Sequence, residues 1–575
     1  MVNAKVNNIN IEVEKGTSIL DAAKKININI PTLCHMYMVD GKTRNCKGTC
    51  RVCLVEIEGK EGLVPACATE IREGMSVKTN SLKAIKARRT ITELLLSNHP
   101  MDCLKCEKNN KCELQSLASE LGIFENYYEG ERNKYDLDIS DSFVRDREKC
   151  ILCRRCVTAC NEVQKVNVIT VANRGFESNI STFWNEGIEN TNCTYCGQCV
   201  AVCPTGALRE KIDHNKVWEI LDGNKYSMVQ IAPAVRYALA EEFGVESGKL
   251  STGKIVAALK LLGFDLVFDT DFAADLTIME EANEFLKRFI SGENLPLITS
   301  CCPAWIRFAE NNYSDNIELI SSCKSPQQMF GAIAKNYLPN KLGVNKDDIA
   351  VVSIMPCIAK KYEANREEMK DSMGIKDVDL VITSRELSKL IREAGIDIVN
   401  LKDMSFDNPL GTSSGAGAIF GTSGGVMEAA LRTSYEWITG NTLDKVDFEA
   451  VRGLEGIKEA KIDFDGVEVN IAVVSSLGNA KKIMEDIEAG NSKYQFIEVM
   501  ACLGGCINGG GQPYIKSNRE ILKKRMDSIY MEDKEKTIRK SHENPMIKEL
   551  YRDYLINPNS DIAHKILHVK YNRRY

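Results

Sequence analysis

No uncharged apolar run in this chain approaches the roughly 18 residues needed to span a bilayer, so a helical membrane anchor is not expected. The opening residues "MVNAKVNNINIEVEKG" lack a basic region, an apolar core and a small-residue cleavage site; with no export signal to read, the expected location is cytoplasmic. Basic charge is not in excess either, since the net charge is -6 and the pI lies near 5.8, which argues against nucleic acid as a partner. The glycine-rich "SSGAGAIFGTSGG" lacks the G-x-G-x-x-G spacing and acidic partner of a dinucleotide site. Cysteine, by contrast, is abundant, with 22 among 575 residues. Thiols of an unexported chain stay reduced, so close C-x2-C spacing favours metal ligation over disulfides. The length exceeds what one hydrophobic core serves, and roughly three to five domains are expected.

Residues 1–80 begin with apolar and polar residues in alternation, turn at Lys15-Gly16, and continue with helical spacing through Ile19, Leu20 and Ala23. A hairpin followed by a helix is expected. Five cysteines follow, Cys34, Cys46, Cys50, Cys53 and Cys67, whereas a 2Fe-2S cluster takes four. Cys34, Cys50, Cys53 and Cys67 are the expected ligands: Cys50 and Cys53 run into an alternating strand, and the set resembles the N-terminal ferredoxin domain of large iron-sulfur enzymes. Cys46 is the expected spare, and structural zinc is the alternative use of these thiols.

Residues 81–125 contain "HPMDCLKCEKNNKC" after a helical run, giving His99-x3-Cys103-x2-Cys106-x5-Cys112. Three thiolates and one imidazole complete a four-ligand shell for a 4Fe-4S cluster or for zinc. Resemblance to the 4Fe-4S domain shared by complex I and certain hydrogenases favours the cluster. Residues 140–210 repeat C-x2-C-x2-C-x3-C, as "CILCRRCVTAC" and "CTYCGQCVAVCP", 43 residues apart. This is the signature of bacterial two-cluster ferredoxins, in which each fourth cysteine crosses to the other cluster. Cys150, Cys153, Cys156 and Cys203 would hold one 4Fe-4S cluster, and Cys193, Cys196, Cys199 and Cys160 the second, with Pro204 stopping any helix.

In residues 211–575, short apolar runs such as "KYSMVQIAP", "LPLITSCCP" and "IAVVSIMPC" alternate with helical stretches, which predicts α/β lobes with mainly parallel sheets. Sites in such folds lie where strands end. Ala232-Pro233, Cys301-Cys302-Pro303 and Pro356-Cys357 stand at such ends, and "EVMACLGGCINGGGQP" adds Cys502 and Cys506 among glycines that permit close backbone approach. Cys302, Cys357, Cys502 and Cys506 together suit a further 4Fe-4S cluster. His564 and His568, one turn apart with no other ligand beside them, read as an exposed helix face.

"TSCCPAW", "MPCIAKK" and "EVMACLGGCINGGGQP" resemble the three signature motifs of the iron-only (FeFe) hydrogenases, and the front modules resemble the long, many-cluster bacterial form of that family. The resemblance implies a multidomain α+β and α/β fold: a β-grasp 2Fe-2S domain, a small domain with one histidine and three cysteine ligands, a two-cluster ferredoxin domain and a two-lobed catalytic domain over 211–575. It implies that Cys506 bridges the cubane to a two-iron centre carrying carbon monoxide, cyanide and an amine-containing dithiolate, the whole forming the H-cluster. Cys301 would be the free thiol that exchanges protons with that centre, poised by an ordinary thiol pKa of about 8.5. Glu281, Glu284 and Arg288 share one helix face at i, i+3 and i+7, by themselves an ordinary exposed charged stripe. The resemblance makes Cys301, Glu281, Ser321, Glu284 and Arg288 a proton path. It also implies a cofactor pocket of Ala232, Pro233, Gln327, Met355, Lys360 and Met500, with Lys360 donating to a cyanide. Two departures stand out: Ala234 replaces the family's common serine, and Cys323 stands where relatives often carry alanine, as an inert core residue or a redox-active neighbour.

The expected activity is reversible reduction of protons to H2. One 2Fe-2S and three accessory 4Fe-4S clusters would pass electrons from ferredoxin or flavodoxin to the H-cluster. Maturation proteins would build the diiron centre, and the chain would act as a monomer. Two other readings remain: an electron-transfer subunit resembling the large iron-sulfur subunit of complex I, which has no use for Cys301, Cys302, Cys357, Cys502 and Cys506, and a hydrogenase-like cluster protein without turnover, which needs no proton path.

Overall fold

The computed structural model describes residues 1–45 and 48–573. Cys46, the expected spare thiol, lies outside the described residues. In the front module, β1 (Val2–Val6) and β2 (Ile9–Val13) pair antiparallel through a turn at Asn7-Asn8, both at positive φ. The Lys15-Gly16 turn instead leads from β2 towards helix α1 (Ile19–Lys25), whose first turn is capped by the Ser18 hydroxyl. With β3 (Leu54–Ile57), β4 (Leu63–Pro65) and β5 (Ser76–Lys78), the sheet runs β2-β1-β5-β3-β4, with β1 and β5 parallel, and α1 packs on its apolar face, the β-grasp arrangement. Helix α2 (Leu82–Ser97) then leads to His99, and α3 (Glu113–Glu120) starts directly after Cys112.

The catalytic region is built on eight strands: β6 (Tyr226–Ile231), β7 (Leu266–Asp269), β8 (Leu297–Ile298), β9 (Ile349–Met355), β10 (Leu380–Thr383), β11 (Ile457–Phe464), β12 (Val467–Ser475) and β13 (Phe496–Met500). They form two four-stranded sheets, β7-β6-β9-β10 and β8-β13-β12-β11; every pairing is parallel except β11 with β12. Both faces of these strands are covered, so β6, β9 and β13 read as near-continuous apolar runs. The C-terminal end of β6 passes into α4 (Pro233–Ala238) and that of β7 into the long helix α5 (Thr270–Ser291), capped by Asp269 and ended by Gly292 at φ 71°. Likewise β8 leads through Cys301-Cys302 into α6 (Pro303–Asn312), and β9 through Pro356-Cys357 into α7 (Ala359–Ala364). Proline at the first position of α4 and of α6 fixes the turn from strand to helix without losing a helical hydrogen bond. All these strand ends face one cleft between the sheets.

Candidate active site

The cleft holds a cavity of about 70 Å3, lined by Ala232, Pro233, Ala234, Cys301, Gln327, Met355, Cys357, Lys360, Phe420, Met500 and Cys506 among others. All six residues expected from the resemblance to surround a diiron group therefore line one pocket. Cys302 lies close enough to Cys357, Cys502 and Cys506 to raise each of their thiols beyond the effect of burial, and Cys506 and Cys357 also face the cavity. The turn between Cys502 and Cys506 requires glycine: Gly505 sits at φ 89°, and a Cβ there would fall 2.4 Å from the Ser423 amide nitrogen. Gly425 and Gly421 in the glycine-rich stretch serve close packing too, since a Cβ at Gly425 would lie 1.7 Å from the Ile419 carbonyl oxygen.

Lys360 is buried, and its ammonium donates to Glu363 Oε2 at 2.9 Å and to the Cys301 carbonyl at 3.1 Å. Burial alone would lower its pKa; Glu363 outweighs that and holds it above the ordinary value. Gln327 donates to Glu363 at 3.1 Å and to the Lys360 carbonyl at 3.3 Å, which leaves its own Oε1 buried without a partner.

On α5, Glu281 is buried beside Ser321 and the Ser300 amide, and burial pushes its carboxyl up to about 8. Ser321 donates to Glu284 Oε2 at 3.1 Å, and Arg288 donates to Glu284 Oε1 at 2.6 Å while also bonding the carbonyls of Asn294, Glu318, Leu319 and Ile320. The stripe is thus no exposed ion-pair face: its inner end is buried and its outer end is clamped to backbone. Burial, and after it Glu281, raises the Cys301 thiol above its ordinary range.

Three groups of front cysteines are gathered in the same way. Cys34 is held low by contacts with the thiols of Cys50 and Cys67, and Cys53 is lowered to about 7 by Cys67, so four buried sulfurs meet. Cys150, Cys153, Cys156 and Cys203 line one cavity, and Cys160, Cys193, Cys196 and Cys199 another, which is the crossed partition of the repeat. His99 is buried and lowered to about 4 by burial and then by Lys149; its ring is neutral, the form that binds metal, and Nδ1 has no partner. Cys106 and Cys112 are electrostatic neighbours on the same module.

Family models match in the order of these modules. That for "2Fe-2S iron-sulfur cluster binding domain" matches residues 1–81, "NADH-ubiquinone oxidoreductase-G iron-sulfur binding region" 88–126 and "4Fe-4S dicluster domain" 149–207. "Iron only hydrogenase large subunit, C-terminal domain" matches 225–510 and "Iron hydrogenase small subunit" 519–574. "Iron hydrogenase 1" of Clostridium pasteurianum is 39% identical over 575 residues, covering 99% of each chain. This chain belongs to the iron-only hydrogenase family. A second relative, "NADP-reducing hydrogenase subunit HndD" of Solidesulfovibrio fructosivorans, is 52% identical over 573 residues, 98% of this chain and 97% of its own. A solved apo FeFe-hydrogenase from Chlamydomonas reinhardtii is 42% identical and has a TM-score of 0.57, covering 63% of this chain and 99% of its own. The chain is accordingly a hydrogenase, an oxidoreductase of mixed α/β multidomain build with 2Fe-2S, 4Fe-4S and H-cluster domains.

The residues of this hydrogenase fit the family's cofactor. Its cleft combines a thiolate set, a buried cation and an orphaned amide oxygen around otherwise apolar walls. Ala234 lines the pocket where a hydroxyl is common, and its carbonyl accepts from Gln512 at 2.8 Å. Cys323 is fully buried, 3.9 Å from Glu284 and away from the cavity lining.

Several residues escaped the sequence reading. Glu363, which fixes Lys360, stands three residues beyond it on α7, a spacing that does carry a signal. Gln198 donates to Cys502 Sγ at 3.3 Å and joins the ferredoxin module to the catalytic sulfurs, for which the sequence offers no pattern. The reading of His564 and His568 as an exposed face holds for His564 alone; His568 is buried at the end of its helix, because the chain there forms an antiparallel bridge with Cys323.

Proposed function

We propose that this hydrogenase reversibly combines two protons and two electrons into H2 at an H-cluster held by Cys302, Cys357, Cys502 and Cys506. When bound, that cluster supplies the redox chemistry and the making and breaking of the H–H bond. The chain's own part is to hold, shield and supply it. Lys360, fixed by Glu363, would offer its ammonium to an anionic ligand, and Gln327, Met355 and Met500 would wall out water. Cys301 would hold a proton at the pocket wall and exchange it with Glu281, Ser321, Glu284 and Arg288 in turn. The single observation that carries this reading is the meeting of Cys301, Cys357, Cys506 and Lys360 on one apolar cavity.

Electrons would travel through the accessory sites in the proposed domains 1–80, 81–125, 140–210 and 211–575. Asn45 donates to the carbonyls of Cys34 at 2.5 Å and Cys153 at 3.0 Å, Arg155 grips Glu113 beside Cys112 at 2.8 and 2.9 Å, and Gln198 reaches Cys502. These contacts support a continuous route. Its outer end would meet ferredoxin or flavodoxin in the cytoplasm, with the chain acting as a monomer. A partner chain that reduces a nicotinamide nucleotide is the second reading of the electron partner, favoured by the printed name of the 52% identical relative. Infrared spectra of the matured, iron-replete protein test the core of the proposal: bands of metal-bound carbonyl and cyanide are expected, and a sample without them refutes it.

A further inference from the structure

Glu284 has a second set of neighbours opposite Arg288. Ser322 donates to Glu284 Oε2 from its amide at 3.1 Å and from its hydroxyl at 3.2 Å. The same hydroxyl lies 2.8 Å from His568 Nδ1, and His568 Nε2 lies 3.0 Å from Glu280 Oε2. Glu280, one helical turn before Glu284, is also fixed by the Asn559 amide at 2.7 Å and by the Tyr551 hydroxyl. Only 9% of His568 is exposed, yet its ring centroid is 4.2 Å from that of the exposed His564. An imidazole with both nitrogens engaged, one on a buried carboxylate and the other on a hydroxyl that also reaches a relay residue, is built to pass a proton.

We propose that His568 is a second proton donor and acceptor for Glu284, working through the Ser322 hydroxyl in parallel with Arg288. This rests on the reading above that Glu284 carries protons to and from the cofactor pocket. With both ring nitrogens protonated, Nε2–H donates to Glu280, Nδ1–H donates to Ser322 Oγ, and the Ser322 O–H donates to Glu284. Transfer breaks the Nδ1–H and Ser322 O–H bonds and forms one O–H bond on Ser322 and one on Glu284. The imidazole is left neutral and the carboxylate becomes a carboxylic acid, so charge balances and no electron moves. Rotation of the hydroxyl and uptake of a proton past His564 reset the pair.

The groups facing His568 are Glu280 and Glu284 from α5, Cys323 from the loop before the next helix, Tyr551 and His564. Burial keeps the Cys323 thiol and the Tyr551 phenol protonated, so neither competes as a base. His564 is itself lowered, by burial and then by His568.

The test uses matured full-length protein. His568→Gln and Ser322→Ala are each expected to slow H2 production from reduced methyl viologen by about three- to tenfold. KM for viologen should not change, and the pH dependence of the rate should flatten. Ser322→Thr, which keeps the hydroxyl, should restore both. Combined with Arg288→Leu, the loss should exceed the product of the separate losses, as it does when two parallel routes are closed. Independently of turnover, the carboxyl infrared band that vanishes in Glu284→Gln should shift in frequency in His568→Gln. Wild-type rates and pH profiles in both His568→Gln and Ser322→Ala overturn the branch while leaving the Arg288 route standing. A wild-type rate in Glu284→Gln retires the relay itself, and the branch with it.

Discussion

Glu281 and Lys360 show how burial sets the chemistry of single residues here. The Glu281 carboxyl, raised by burial from 4.5 to about 8, keeps in the native state a proton that the unfolded chain releases at lower pH. Its contribution to stability is therefore present below about pH 4.5 and is lost as pH rises towards 8. Glu281→Gln, neutral at every pH, should leave the thermal midpoint unchanged near pH 4.5 and raise it at pH 8.5, by about 1–3 kcal/mol in stability. Differential scanning calorimetry at the two pH values checks the sign. Lys360 is the opposite case, a buried charge kept by its partner. Lys360→Met strands Glu363 and should cost about 3–5 kcal/mol, read as a lowered denaturation midpoint, and Lys360→Met/Glu363→Leu should recover much of that loss.

Among the elements, the closest joint is between ferredoxin module and catalytic lobe. Gly197, at φ 75°, comes so near Gly510 that a Cβ on it would fall 2.9 Å from the Gly510 Cα, and Arg385 ties Glu210 to the 510–512 backbone at 2.5 to 3.0 Å. Gly197→Ala should force the two apart, at about 1–3 kcal/mol, and weaken the magnetic coupling between neighbouring clusters in electron paramagnetic resonance spectra. Strands β6, β8 and β9 were legible in the sequence because apolar runs of strand length ended in small residues or proline. The cysteine modules were legible because spacing along the chain is itself the ligand geometry. By contrast Gln198, Asn45 and His568 act through contacts hundreds of residues or a whole domain away, and nothing periodic marks them.

For the whole molecule, the apolar cavity that bears Lys360 lies far in sequence from the N-terminal iron-sulfur modules, to which contacts such as that of Gln198 with Cys502 join it. If every proposed site is filled, the matured chain should hold about 20 iron atoms, and substitution of Cys502 should remove the catalytic cluster while the accessory signals persist. The thiol at the cavity wall is the group on which turnover most directly depends. Turnover of reduced methyl viologen to H2 by matured Cys301→Ala, whose carbonyl and cyanide infrared bands match wild type, is the deciding measurement. A fall of about a hundredfold or more is the predicted result; a wild-type rate would contradict it.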